Sequence, residues 1–328
     1  MQNKPKINKP VYLESLQSGA LDKVIDKVFA SLESCVLCPR KCKADRLSGK
    51  KGFCRTGLKP KVYSYMAHHG EEPVISGSRG SGTIFFADCN MGCVYCQNYE
   101  FSQTGQGREI GFEELAGFML ELQGMGCHNI NLVTPTHILP QILKSLKIAV
   151  SGGLNIPLVY NTGGYESADI IRLLDGIVDI YLPDMRYADA QQAVKFSGAP
   201  GYPENNQESV KEMFRQAGIA RMDESGIIER GLIIRHLVLP NKVSGTEKTM
   251  QFISEELSGD TYVSLMSQYL PYHRAAEFKE IGRRLTLGEY EEAQDMLEKY
   301  GLHNGWVQES FGSERFAGVN IKSVLKNE

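Results

Sequence analysis

The sequence predicts an α/β chain: an incomplete parallel (β/α)6 barrel of TIM-like type with an N-terminal cysteine-rich segment and a C-terminal helical extension. Three observations carry this prediction. Strand-like runs alternate with helical patterns of about 10 to 15 residues, the mark of βαβ units around a parallel sheet. Six such units occur in the sequence, too few to close an eight-stranded barrel. The polar motifs fall on loops that follow strands, where barrels of this kind gather their chemistry.

Taken in order, residues 82–88 are β-branched and aromatic and predict a buried strand. Residues 112–125 have helical spacing, with Glu113, Glu114 and Glu121 on the outer face. Strands follow at 128–134, 156–160, 177–182, 231–239 and 262–266, separated by helices at 138–150, 167–174, 189–196, 207–217 and 246–257. The chain therefore divides into an N-terminal cysteine-rich segment (1–75), a barrel (76–270) and a C-terminal extension (271–328). The extension reads as one helix near 287–300 and a polar tail whose single Trp306 packs against the barrel.

A hydrophobic content of 42% in 328 residues is ample for a full core, which excludes a disordered or collagen-like chain. The net charge of −3 argues against a nucleic-acid surface and points to small-molecule or protein partners. No apolar run approaches the roughly 18 residues of a membrane span, and the first 16 residues lack a signal-like apolar core, so a cytoplasmic protein is expected. In that compartment thiols stay reduced, so the eight cysteines point to metal rather than disulfides.

Seven of those eight lie between Cys35 and Cys96, in two groups. Cys89, Cys93 and Cys96 are spaced x3 and x2 on a glycine-containing loop that leaves the 82–88 strand. Three thiolates hold three irons of a cubane cluster and leave the fourth open to a chelating ligand, as a catalytic zinc keeps one open position. Cys35, Cys38, Cys42 and Cys54 supply four soft ligands within 20 residues, enough to close a tetrahedral zinc site or hold an auxiliary iron–sulfur cluster. Six basic residues surround that group and favour thiolates with either metal. Cys127 reads as a buried core thiol.

The triplet Cys89-x3-Cys93-x2-Cys96, with Tyr95 before its last cysteine, resembles the radical S-adenosylmethionine (SAM) superfamily. Asn161-Thr-Gly-Gly-Tyr165, Leu182-Pro-Asp184 and Arg235-His-Leu-Val-Leu-Pro240 resemble the branch related to pyruvate formate-lyase activating enzymes. The resemblance implies a [4Fe-4S] cluster on the triplet, SAM on its open iron, and a reductant such as flavodoxin or ferredoxin. It implies an oxidoreductase in which an electron from the cluster cleaves SAM to a 5′-deoxyadenosyl radical that abstracts hydrogen from a substrate, for which a protein is one candidate. It places Tyr95 near the adenine, Asn161, Thr162 and Gly163 at the ribose or methionine part, and Asp184 and Arg235 at the SAM carboxylate. The family's glycine-glycine-glutamate segment is replaced here by 134–137, where Thr134 and Thr136 stand to accept the SAM amino group and His137 has an equal claim to a substrate role. Strand alternation sends Arg235 and His236 to opposite faces, and the resemblance favours Arg235 as the one inside the barrel, with His236 packing outside. The competing functions are activation of a partner by a glycyl radical, modification of another macromolecule or small molecule, and metal-based electron transfer without SAM turnover.

Overall fold

In the computed structural model, which describes residues 9–308 and 319–320, residues 11–15 bond to Ile156, Gly176 and Asp179 at the N-terminal ends of the parallel strands. Helix α1 (Tyr12–Gln17) is tied there by Tyr12, whose hydroxyl donates to the Ile156 carbonyl at 2.7 Å. Helix α2 (Ala20–Ala30) places Leu21, Ile25 and Val28 on one buried face, the i, i+4, i+7 stripe of an amphipathic helix. The cysteine-rich segment then climbs to the other end of the barrel. Strand β1 (Lys61–His68) returns along it, and the chain turns through α3 (Pro73–Ser76) into β2 (Ser81–Phe86).

The following elements are α4 (Tyr99–Ser102), β3 (Arg108–Glu109), α5 (Phe112–Gly124), β4 (Ile130–Val133), α6 (Leu139–Ser151), β5 (Leu158–Thr162), α7 (Ala168–Arg172) and β6 (Ile180–Pro183). Next come α8 (Ala190–Ser197), α9 (Tyr202–Ala217), β7 (Arg221–Met222), β8 (Ile228–Leu237), α10 (Thr246–Glu256), β9 (Tyr262–Met266), α11 (Leu287–Lys299), β10 (Gly305–Val307) and β11 (Val319–Asn320). Sheet order is β11-β10-β9-β8-β6-β5-β4-β2-β1-β3, open at both ends, which is an incomplete barrel. Strands β2, β4, β5, β6, β8, β9 and β10 are mutually parallel. Every residue of β4, β5 and β6 is buried, as expected of strands covered on both faces.

All six strands predicted for the barrel form, and so do the helices between them. Of the additions that were not foreseen, two strands extend the sheet most. β1 pairs antiparallel with β2, and β10, within the segment read as a helical extension, adds a seventh parallel strand beside β9. Trp306 on β10 is buried, packed with Ile75, Val159 and Ile233. Most of the polar tail beyond it, 309–318 and 321–328, lies outside the described residues, as do 1–8. Among the described residues no helix is long and apolar enough to cross a membrane.

Candidate active site

The chemistry-bearing residues converge at the C-terminal ends of the parallel strands. Cys89, Cys93 and Cys96 sit on the loop leaving β2, which main-chain bonds hold in place. Gly92 and Val94 donate to the carbonyls of Ser197 and Phe196, each at 2.9 Å, and Arg274 donates to that of Val94 at 2.8 Å. Donors address the sulfurs: the Met91 N–H reaches Cys89 Sγ at 3.3 Å and the Ser197 hydroxyl reaches Cys93 Sγ at 2.9 Å. Burial, then the neighbouring Cys93, push the Cys89 and Cys96 thiols above their ordinary range. Three soft sulfur ligands on one loop, with hydrogen-bond donors supporting two of them, suit a three-ligand cubane cluster.

Arg186 is a residue the sequence reading missed. Its guanidinium pairs with Asp184, and its Nε is buried without a hydrogen-bond partner among the described residues. Burial works against its charge, but Asp184, Cys93 and Tyr95 outweigh it and hold it firmly protonated. An uncommitted donor edge beside three thiols fits a site built for an anionic group. The signal for it was present in Asp184-Met-Arg186, two residues beyond the strand end.

Gly163 and Gly164 form the floor of this region. A Cβ on Gly163 would meet Met91 Sδ at 3.2 Å, and one on Gly164, at φ 78°, would stand 2.1 Å from the Asp184 carbonyl oxygen. Only glycine lets β5 and β6 end this close together. Asn161 and Thr162 end β5 just before them. Tyr95 is buried, with its hydroxyl 2.6 Å from that of Tyr187 and its ring edge-on to Tyr269.

Arg235 does point into the barrel, where it is surrounded. Its Nε donates to Asp184 Oδ1 at 2.8 Å, Nη2 to Asn161 Oδ1 at 2.6 Å, and Nη1 to Glu71 Oε2 at 3.4 Å. Glu71 and Glu72 enter from the far end of the barrel on the β1–β2 connection. Burial raises both carboxyls, with Arg235 pulling them back down. Sequence reading missed this pair, since a Glu-Glu-Pro turn ordinarily faces water. His236 faces outward, its ring nitrogens against the Met185 carbonyl and the Thr246 hydroxyl.

After β4, Thr134 takes a positive φ of 59°, rare for a β-branched residue and a mark of local constraint. The Thr136 and Thr162 hydroxyls both donate to buried Glu166, whose pKa burial pushes up to about 7. Thr136 thus spends its hydroxyl inside the protein. His137 lies under the cysteine-rich segment: its carbonyl accepts from Arg46 Nη1 at 2.9 Å. Cys127 is buried in the core. Beyond β9, Gln268 accepts from Gln97 through its carbonyl at 3.3 Å and His273 stacks on Tyr99, which brings this loop to the cluster loop.

Cys35, Cys38, Cys42 and Cys54 line one small cavity with Arg40, Arg46, Phe53 and His137. Burial, above all, pushes the Cys38 thiol up to about 12. Among the described residues no three His, Cys, Asp or Glu side chains converge on a single ion-sized point. A cavity of about 490 Å3 lies elsewhere, between α8, α10 and α11, and is lined by no cysteine.

Residues 83–253, just over half of the chain, match the family model described as the radical SAM superfamily. The uncharacterized protein MJ0674 of Methanocaldococcus jannaschii is 34% identical over 300 residues, which span 88% of this chain and 82% of that one. Among solved structures, the [FeFe]-hydrogenase maturase HydG aligns with a TM-score of 0.43 at 12% identity over 66% of this chain, and methylornithine synthase (PylB) with 0.46 at 13% over 68%. TYW1 with a lysine-pyruvate adduct aligns with 0.43 at 13% over 71% of this chain and 78% of its own. The chain spans about half of HydG, 48%, and 63% of methylornithine synthase. With its cysteine triplet at the end of β2 and a family match across the barrel, this chain belongs to the radical SAM superfamily of enzymes, which use a [4Fe-4S] cluster, SAM and an electron donor to cleave SAM reductively.

Proposed function

We propose that this chain generates a 5′-deoxyadenosyl radical and uses it to take hydrogen from a substrate admitted at the C-terminal mouth of the barrel, in the manner of pyruvate formate-lyase activating enzymes. The observation that carries the reading is the three-thiol loop next to the unpartnered edge of Arg186 and the glycine floor at Gly163. In this reading Cys89, Cys93 and Cys96 hold the cluster, whose reduced form supplies the electron for carbon–sulfur cleavage. Asn161, Thr162 and Gly163 receive the ribose or methionine part, Tyr95 packs near the adenine, and the main chain at Thr134 and Thr136 takes the amino group. Asp184 and Arg186 lie at the carboxylate end, with Arg235 holding Asp184 and Asn161 in place from beneath. The protein's contribution is orientation and exclusion of water and oxygen.

A protein partner, either reductant or substrate, is favoured by the surface above the site. Residues 36–61 carry nine Lys or Arg against one Asp, in a chain of net charge −3. Val36, Leu47, Phe53 and Leu58 are exposed in the same segment. The N-terminal cysteines are read as a second metal site, zinc or an auxiliary cluster, closed to SAM and separate from the triplet.

The test is anaerobic reconstitution with iron and sulfide, reduction, and measurement of 5′-deoxyadenosine formed from SAM. Stoichiometric cluster with no 5′-deoxyadenosine, in the presence of reductant, would refute the reading. A glycyl-radical signal generated on a partner separates the activating role from modification of some other molecule.

A further inference from the structure

Three buried hydroxyls stand in line behind Cys93. The Tyr95 hydroxyl oxygen lies 2.6 Å from that of Tyr187, the Tyr187 oxygen 2.7 Å from Ser197 Oγ, and Ser197 Oγ 2.9 Å from Cys93 Sγ. None of these four residues is more than 5% exposed, so bulk water does not compete for the bonds. Tyr187 follows Arg186 on the connection from β6 to α8, and Ser197 is the last residue of α8. Packing fixes the rings. Tyr187 stands edge-on to Tyr202 and Tyr95 edge-on to Tyr269, within one cluster of buried side chains that also contains Cys93.

Each hydroxyl has one proton to give, and the acceptor at the end of the row decides where each proton goes. A thiolate bound to iron only accepts, so Ser197 donates to Cys93. The Ser197 oxygen then accepts from Tyr187, and the Tyr187 oxygen from Tyr95. Every proton in the row points toward the sulfur. Arg186 stands at the head of the row, where its charge acts on Tyr95, and a cation there pushes the protons the same way. In a dry row each bond polarises the next, so Cys93 meets a stronger donor than a lone serine. It also has the shortest donor contact of the three sulfurs, since the Met91 nitrogen is 3.3 Å from Cys89 Sγ and Ser102 Oγ is 3.2 Å from Cys96 Sγ. A cubane gives each thiolate its own iron, so the three sulfurs need not converge on one point and each has its own surroundings.

We propose that Ser197 and Tyr187, with Tyr95 behind them, are positioning residues that raise the reduction potential of the cluster by donating into Cys93 Sγ. This rests on the reading of Cys89, Cys93 and Cys96 as cluster ligands and deepens it. Reduction adds one electron to the cluster and its thiolates, and a hydrogen bond to a ligand sulfur favours the more negative state. No bond is made or broken within the row, and no proton leaves it. The consequence is that the cluster takes its electron from a weaker reductant than the same three cysteines would need without the row.

The experiment compares the full-length wild type with Ser197→Ala and Tyr187→Phe, each reconstituted anaerobically with iron and sulfide, by redox titration of the cluster without SAM. Ser197→Ala is expected to shift the reduction equilibrium toward the oxidised cluster by up to about tenfold, which is about 59 mV for one electron. Tyr187→Phe keeps the Ser197 hydroxyl and is expected to shift it the same way by less. Electron-nuclear double resonance of the reduced cluster, in protein prepared in D2O and in H2O, reads the donor itself. The coupling to an exchangeable proton persists in Tyr187→Phe and falls in Ser197→Ala. Circular dichroism and iron content establish that each variant is folded and loaded, and if Ser197→Ala is not, Tyr187→Phe decides the matter. A loaded variant of either kind that keeps the wild-type potential, or shows a higher one, overturns the proposal. A wild type that takes up no cluster overturns the reading of the triplet instead, so the two failures are distinguishable.

Discussion

Two regions of this molecule carry clustered cysteines, and they are fastened in different ways. The loop of Cys89, Cys93 and Cys96 grows out of β2 and bonds through its own main chain to that of Phe196 and Ser197, so part of its place is inherited from the sheet and from α8. The segment with Cys35, Cys38, Cys42 and Cys54 is bound to the barrel chiefly through side chains. Arg40 donates to the Asn90 and Gly198 carbonyls, Arg46 to that of His137, and Gln141 to those of Gly57 and Leu58. A main-chain anchorage tolerates many side chains, whereas a side-chain anchorage depends on a few particular ones. Single substitutions should therefore remove chemistry from the first region and attachment from the second.

The largest effect is expected in the first. Cys93 is buried and accepts a hydrogen bond from Ser197, and Cys93→Ala should abolish the cluster absorption and 5′-deoxyadenosine formation together. Full SAM cleavage by that variant would remove the triplet from the mechanism. Arg235→Ala comes next. It removes the partner of Asp184 and Asn161 and leaves Glu71 with less compensation inside the barrel. Truncating one member of a buried charge pair costs about 2 to 5 kcal/mol, so SAM affinity should fall strongly while iron content holds. Isothermal titration of the folded variant that shows unchanged SAM affinity would place Arg235 outside the site.

The same contrast governs what was legible in the sequence. Ile180–Pro183 is fully buried and reads as an uninterrupted apolar run, Ile130–Val133 is as buried with only Asn131 polar, and the cysteine triplet follows the largely apolar β2 at a fixed spacing. Lys61–His68 was not legible because its residues are mostly half-buried and mix Lys, Ser and His with apolar side chains. Gly305–Val307 is three residues long, too short for any periodicity. Glu71, Glu72 and Arg186 escaped for another reason: each is a charged residue drawn wholly or partly out of water by tertiary contacts that no local pattern encodes. Arg46 belongs with them. It looks like part of a solvated basic run, yet it is 1% exposed and threads between Gly57, His137 and Cys35.

The middle-sized effect belongs to Arg40, which sharpens the side-chain half of the comparison. Its Nε reaches the Asn90 carbonyl at 2.6 Å and its guanidinium lies 3.4 Å over the Phe53 ring. Because the side chain is partly exposed, the low end of the range for charged hydrogen bonds applies, about 1.5 kcal/mol. Arg40→Ala should open the 35–57 segment to protease well before the barrel unfolds, with cluster iron retained. Equal protease resistance in wild type and variant would show that the segment is held by something other than Arg40.

The last effect, read as a pH dependence, concerns the other end of the N-terminal arm, where attachment again depends on one side chain. Asp179 accepts the Val11 N–H on one oxygen and the Leu158 N–H on the other, each at 2.9 Å, and so ties α1 to the start of β5. Burial pushes its pKa up to about 7, although both N–H donors pull it down. An aspartate in the unfolded chain titrates near 3.9. The folded value is the higher one, so the folded state binds this proton more tightly. The contribution to stability is fully present below about pH 4 and is lost as pH rises to about 7. Over that window the wild type should lose urea resistance relative to Asp179→Asn, whose side chain does not titrate, while other groups change equally in both proteins. The gap between their denaturation midpoints should then move steadily from pH 4 to 7 and level off above it. A gap that stays constant across that range, or moves in the opposite direction, would mean that Asp179 is ionised in the folded protein at ordinary cost, and that the arm is tied down by a carboxylate rather than by a carboxylic acid.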